Sequence, residues 1–166
     1  IHGSKIEITL FKYLEELEQA IIDSPPDILG LSSYSWSQNV GIEMFKLSRQ
    51  HNPGVLTVWG GPNFPLDFPS QQKFMKQFQV VDVYVPLEGE LGFSNIVESA
   101  LSAKQKNEIR TQVISQLIDG CVVRDKNNKL VYSGPGLRTN ALDEIPSPYL
   151  TGLFDKFFDG RLSPLM

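Results

Sequence analysis

Three short apolar runs, Asp27–Ser32, Val55–Trp59 and Val80–Val85, each pass through a turn into a stretch whose apolar residues recur at helical spacing. Near-continuous apolar runs of this length suit parallel strands buried on both faces. Strand and helix in alternation close into a parallel sheet with right-handed crossovers and helices on both sides. The helical stripes are Leu14, Leu17, Ala20 and Ile21, then Val40, Met44, Phe45, Leu47 and Ser48, then Phe74, Met75 and Phe78, and finally Phe93, Ile96, Val97, Ala100 and Leu101. Ser24-Pro25-Pro26 and His51-Asn52-Pro53-Gly54 end the first two helices, and Ser70 stands where a cap for the third belongs. Lys5–Leu10 alternates charged and apolar residues and predicts one more strand at the start. The expected fold class is α/β: a Rossmann-like (flavodoxin-like), mostly parallel sheet with helices on both faces.

The alternation stops after Ala103. Residues 1–103 read as the Rossmann-like domain and 104–133 as a linker and β-hairpin appendage, with 134–166 as an extended connector. Lys104–Gln116 is polar with weak periodicity, either a linker or a marginal surface helix. Gly120–Arg124 and Lys129–Tyr132 flank the polar loop Asp125–Asn128 and predict a hairpin. Pro135, Pro146 and Pro148 stiffen the connector.

Composition removes several function classes. A net charge of −4 and a pI near 5.2 give no electrostatic reason to expect nucleic acid or an anionic membrane as partner. No run of eighteen apolar residues and no leader pattern is present, so no membrane insertion is expected. The single cysteine, Cys121, rules out an internal disulfide and any multi-thiolate metal site, and fits a core position in the hairpin. A reducing, cytoplasmic setting is the default. The chain opens on Ile1 within sheet-type sequence and reads as a piece of a longer polypeptide.

In a parallel sheet every strand ends at the same edge, and the ligand crevice lies there. Three turns therefore converge: Ser32, Ser33, Tyr34 and Ser35; Gly60, Gly61, Pro62 and Asn63; and Glu88, Gly89 and Glu90. Gly60-Gly61 serves either a backbone with φ > 0 or the close approach of a ligand to bare backbone. The serines read as turn residues and helix caps or as ligand contacts. Glu88 and Glu90 read as first-turn carboxylates on a helix dipole or as binding groups. Tyr34 and Trp36 read as packing residues, and His51 as a surface cap at the opposite edge. Neither Gly60-Gly61 nor Gly89 fits the Gly-x-Gly-x-x-Gly dinucleotide fingerprint, and no Gly-Lys-Ser or Gly-Lys-Thr phosphate loop occurs.

Four pieces taken together, Asp27–Ser33, Trp59-Gly60-Gly61-Pro62, Val81–Val85 with Glu88-Gly89-Glu90, and the late Asp143–Leu150, resemble the N-terminal cobalamin-binding domain of cobalamin-dependent radical SAM proteins. The resemblance implies that the serine turn and the Gly-Gly turn flank a corrin and its nucleotide tail, with the Gly-Glu turn at the same edge. It further implies that the proline-rich connector leads to a C-terminal radical SAM domain holding S-adenosylmethionine and a 4Fe-4S cluster, and that the parent enzyme catalyses methyl transfer or a rearrangement. Two motifs are missing. No Asp-x-His-x-x-Gly supplies a histidine to cobalt, so no protein histidine ligand to the cobalt is expected, and no Cys-x-x-x-Cys-x-x-Cys cluster motif is present. The family's first strand is also missing before Ile1, and no catalytic residue is expected within the chain. The competing readings are a docking module with a degenerate crevice and a flavodoxin-like nucleotide- or flavin-binding domain.

Overall fold

Each of the three apolar runs becomes a strand. In the computed structural model, which describes residues 2–87, 89–132, 145–158 and 160, β1 (Ile28–Ser32), β2 (Leu56–Gly61) and β3 (Val83–Pro86) lie side by side and parallel. Their register decides the geometry of the turns. Ser32 stands opposite Gly60 across one ladder, and Gly61 stands opposite Pro86 across the other, so all three strands end level.

Helices cover both faces. On one face α1 (Leu14–Asp23), α2 (Gln38–His51) and α3 (Phe68–Gln77) bury Ile21, Phe45 and Met75 against Trp59 and Tyr84 of the sheet. On the other, α4 (Gly89–Leu101) and α5 (Ile109–Ile114) bury Ile96, Ala100, Val113 and Ile114 against Leu56, Val58, Val83 and Val85. The alternation of Leu56, Val58 against Val55, Trp59 follows the period of two that sends successive side chains to opposite faces. This is the Rossmann-like α/β architecture that the pattern predicts.

The polar stretch after Ala103 is not a simple linker. It forms a 3₁₀ turn (Lys106–Glu108) and α5, whose Val113 and Ile114 are core residues. The hairpin is present, as β4 (Val122–Arg124) and β5 (Leu130–Tyr132), and β4 pairs antiparallel with β3. The sheet thus has five strands in the order β1-β2-β3-β4-β5. Asp125 shapes the hairpin loop, its carboxylate accepting from the Asn127 and Lys129 amides at 2.9 and 2.8 Å. Of the expected connector, residues 134–144, 159 and 161–166 lie outside the described residues, as does residue 133 at the end of the hairpin segment.

Two local expectations need correction. Lys5–Leu10 forms no strand: Gly3–Lys5 is a 3₁₀ turn, 6–10 is irregular, and Ile8 is 67% exposed. Alternation alone could not pair this segment, because its apolar residues find no core to face. The third helix is capped by Asp67 rather than Ser70: the Asp67 carboxylate accepts from the Ser70 amide at 2.9 Å, which also lowers its pKa, and Pro69 sits in the first turn.

A buried ionic clasp ties the sheet's other edge. Asp82, 1% exposed, accepts from Arg49 of α2 at 2.7 Å, from two guanidinium nitrogens of Arg110 of α5, each at 3.0 Å, and, on the sheet, from the Thr57 amide at 3.2 Å. One carboxylate therefore joins helices on opposite faces through β2 and β3.

Candidate functional site

The first two turns are stitched together by backbone. The Ser33 amide donates to the Gly60 carbonyl at 2.7 Å, continuing the β1–β2 ladder one residue past the strand. Gly61 follows at φ +129°, a conformation side chains rarely adopt, and a Cβ built there would lie 3.2 Å from the Ser33 carbonyl oxygen. Of the two alternatives raised by the sequence, a backbone with φ > 0 holds at this glycine. The neighbour it approaches within the chain is the Ser33 backbone.

Between these turns lies a floor without side-chain bulk. Gly30 and Ser32 are exposed and Gly60 half-buried, all three on the α4 side of the sheet by strand alternation. Phe93 of α4 borders the floor, its ring 3.1 Å from where a Gly30 Cβ would be. Phe93 is 37% exposed, so the residue read as part of a core stripe packs its ring over Gly30 and leaves the rest open to solvent. Neither Gly30 nor Phe93 stood out in the sequence as a site residue. A glycine inside an otherwise apolar strand was the available signal.

Ser33 is fully buried, and among the described residues its hydroxyl has no hydrogen-bond partner of acceptable geometry. It lies close enough to the Tyr84 phenol to oppose the upward shift that burial gives that group. The phenol's own hydrogen bond goes to the Gly61 carbonyl at 3.2 Å. The Asn63 side-chain nitrogen is likewise buried and unpartnered among the described residues, leaving two orphaned polar atoms beside the glycine turn.

The serine turn does not cap its helix. Ser37 occupies the N-cap of α2 without a side-chain cap bond, its hydroxyl reaching back to the Tyr34 carbonyl at 3.4 Å, while Ser32 and Ser35 are exposed. Tyr34 and Trp36 stack on each other, ring centroids 4.7 Å apart and 10° from parallel, with Trp36 69% exposed. The packing assigned to Trp36 is therefore packing on Tyr34 alone, with the indole left open to solvent.

At the third turn, Gly89 and Glu90 begin α4, and a Gly89 Cβ would meet nothing within 4 Å. Glu90 is exposed in the first helical turn. Glu88 lies outside the described residues. Leu87 before it holds φ +60° and is 47% exposed, a strained placement of a branched apolar side chain at the crevice edge.

His51 is the last residue of α2, at the opposite edge, and the His2 Nε2 lies 3.1 and 3.0 Å from the carbonyl and hydroxyl oxygens of Ser94. Among the described residues no three His, Cys, Asp or Glu side chains gather as a metal would need, and no helix is long and apolar enough to cross a membrane. The Cys121 thiol donates to the Gly92 carbonyl at 3.4 Å, and burial pushes its pKa up to about 12.

No family model matches the chain. Over 142 residues, 86% of the chain, it is 31% identical to the cobalamin-dependent radical SAM methyltransferase TokK of Streptomyces tokunonensis. This chain is homologous to one stretch of that enzyme. Over the same length it is 33% identical to the 2-(S-pantetheinyl)-carbapenam-3-carboxylate methyltransferase of Streptantibioticus cattleyicolor. The chain spans about a fifth (19%) of the length of each of these curated relatives. Among solved structures, the apo form of the cobalamin-dependent S-adenosylmethionine radical enzyme OxsB matches with a TM-score of 0.56 at 18% identity, covering 86% of this chain and 18% of that one. That likeness shows the fold.

Proposed function

We propose that this chain is the corrinoid-binding portion of a cobalamin-dependent radical SAM enzyme of the methyltransferase type. The observation that carries the reading is the bare floor formed by Gly30, Ser32 and Gly60 beside the locked Gly61 turn, at the level edge where a parallel sheet takes its ligand. The likeness to the Streptomyces enzyme supports it.

The residues present fit a large planar group with a long tail. The exposed Gly30 and Ser32 and the half-buried Gly60 leave the strand ends without side-chain bulk on the α4 side, and the orphaned Ser33 hydroxyl and Asn63 side-chain nitrogen lie beside the Gly61 turn. The open face of Trp36, backed by Tyr34, is a flat apolar wall. Ser32, Ser33, Tyr34, Ser35, Gly60, Gly61, Pro62, Asn63, Gly89 and Glu90 surround the crevice, with Glu88 assigned there from the sequence. When bound, the corrinoid supplies a cobalt centre able to carry a methyl group. The chain's own task is to bind it, hold it flat against the strand ends and keep its reactive face toward a radical SAM domain, the proposed source of S-adenosylmethionine and the 4Fe-4S cluster. With no protein imidazole assigned to cobalt, the bound spectrum is expected to lack imidazole coordination.

The test is to add hydroxocobalamin to the 166-residue chain, remove the free ligand by gel filtration and record the visible spectrum. Co-elution with a spectrum lacking imidazole ligation is expected. Gly61→Leu, which drives a side chain into the Ser33 carbonyl, should abolish co-elution while circular dichroism stays unchanged. A wild-type chain that emerges colourless sinks the corrinoid reading, and flavin or nucleotide retention would then favour the flavodoxin-like alternative over a docking module.

A further inference from the structure

Two consecutive glycines have the largest backbone freedom to lose, and a turn that wanders binds poorly because ordering it opposes binding. Pro62 fixes only its own φ and contributes no N–H, so it cannot anchor the turn by donating a hydrogen bond. Both glycine carbonyls are nevertheless tied down. Gly60 accepts from the Ser33 amide at 2.7 Å, and Gly61 accepts from the Tyr84 phenol at 3.2 Å.

Tyr84 is well placed to be rigid. It is fully buried and stands opposite Trp59 on the neighbouring strand, so its side chain reaches up along the sheet to the turn. Its ring stacks on Phe64, centroids 4.1 Å apart at 18°, and meets Phe74 edge-on at 5.6 Å. Phe64 lies three residues beyond Gly61 in the same loop. One side chain therefore holds the loop at two points, by its hydroxyl at Gly61 and by its ring at Phe64. For packing alone a phenylalanine would serve, and the hydroxyl is a buried polar group whose hydrogen bond goes to the glycine turn. Burial raises the phenol's pKa, so it keeps its proton and remains a donor throughout the neutral range.

We propose that Tyr84 is the positioning residue of the crevice, its hydroxyl pinning the Gly61 carbonyl so that the Gly60–Asn63 backbone is set in its ligand-receiving conformation before anything binds. The identity of that ligand rests on the corrinoid reading above; the pinning does not.

Tyr84→Phe keeps the ring packing and removes only the hydroxyl. Amide hydrogen exchange of the unliganded 166-residue chain, read by NMR, should speed up about five- to tenfold at Gly61 and Asn63, the worth of one hydrogen bond, with Val58 and Val83 unchanged. The apparent Kd for hydroxocobalamin should rise by a similar factor. Exchange that accelerates evenly at all four positions would make Tyr84 an ordinary stability residue, and an unchanged rate at Gly61 or an unchanged Kd would equally overturn the proposal. If the wild-type chain binds no hydroxocobalamin, the corrinoid reading fails, and the exchange pattern alone decides the role of Tyr84.

Discussion

A Cβ at position 61 would lie 3.2 Å from the Ser33 carbonyl oxygen, and one at position 92 would lie 2.6 Å from the Val85 Cγ1 and 3.3 Å from the Gly120 carbonyl oxygen. The two glycines look alike in sequence and differ in purpose. Gly61 shapes the crevice, whereas Gly92 lets α4 approach β3 and the hairpin entry. Gly92→Ala is expected to destabilise the fold by about 1–3 kcal/mol through overpacking, measured by urea unfolding, because the displaced neighbours include backbone. Cys121 illustrates the opposite limit, a nucleophile disabled by its surroundings. With its thiol buried and its pKa pushed up to about 12, it should react with a thiol reagent only when the chain unfolds. Labelling at neutral pH that is fast in native buffer would show that the hairpin entry opens readily.

At the scale of elements, the Asp82 clasp is the feature that periodicity could not disclose. Asp82 and Thr57 sit within strand-type sequence, Arg49 ends an amphipathic stripe, and Arg110 belongs to a stretch with weak periodicity. Their meeting depends on the β2–β3 register and on the placement of α2 and α5 across two faces of the sheet. Asp82→Asn leaves two guanidinium groups facing a neutral amide and should cost about 3–5 kcal/mol, read as a lowered urea midpoint with an unchanged slope. The serine turn teaches a related lesson. A cluster of Ser residues before a helix is a capping signal, yet Ser37 makes no cap bond and the Ser33 hydroxyl is buried without a partner among the described residues. Local propensity named the turn and left its hydroxyls between capping and ligand contact.

For the molecule as a whole, β4 pairs with β3, and Val113, Ile114, Ile118, Cys121 and Val123 share one core with Leu56 and Val83. Truncation after residue 103 should therefore give a chain that fails to unfold cooperatively by circular dichroism, since one face of the sheet would lose part of its cover and β3 its antiparallel partner. The three apolar runs, four helical stripes, the hairpin and the convergence of turns at one edge were all legible, because burial on a sheet or a helix leaves a short-range period in the sequence. That period also specified the α/β class, and the chemistry of the Gly-Gly turn followed from glycine's missing Cβ. The tertiary structure alone decided the rest: that Lys5–Leu10 finds no ladder, that the Phe93 ring packs over Gly30, and that Tyr84 reaches from one strand to pin the glycine of the next. Those are contacts between residues far apart in the chain. They depend on register and on which helix covers which face, and neither quantity has a local signature.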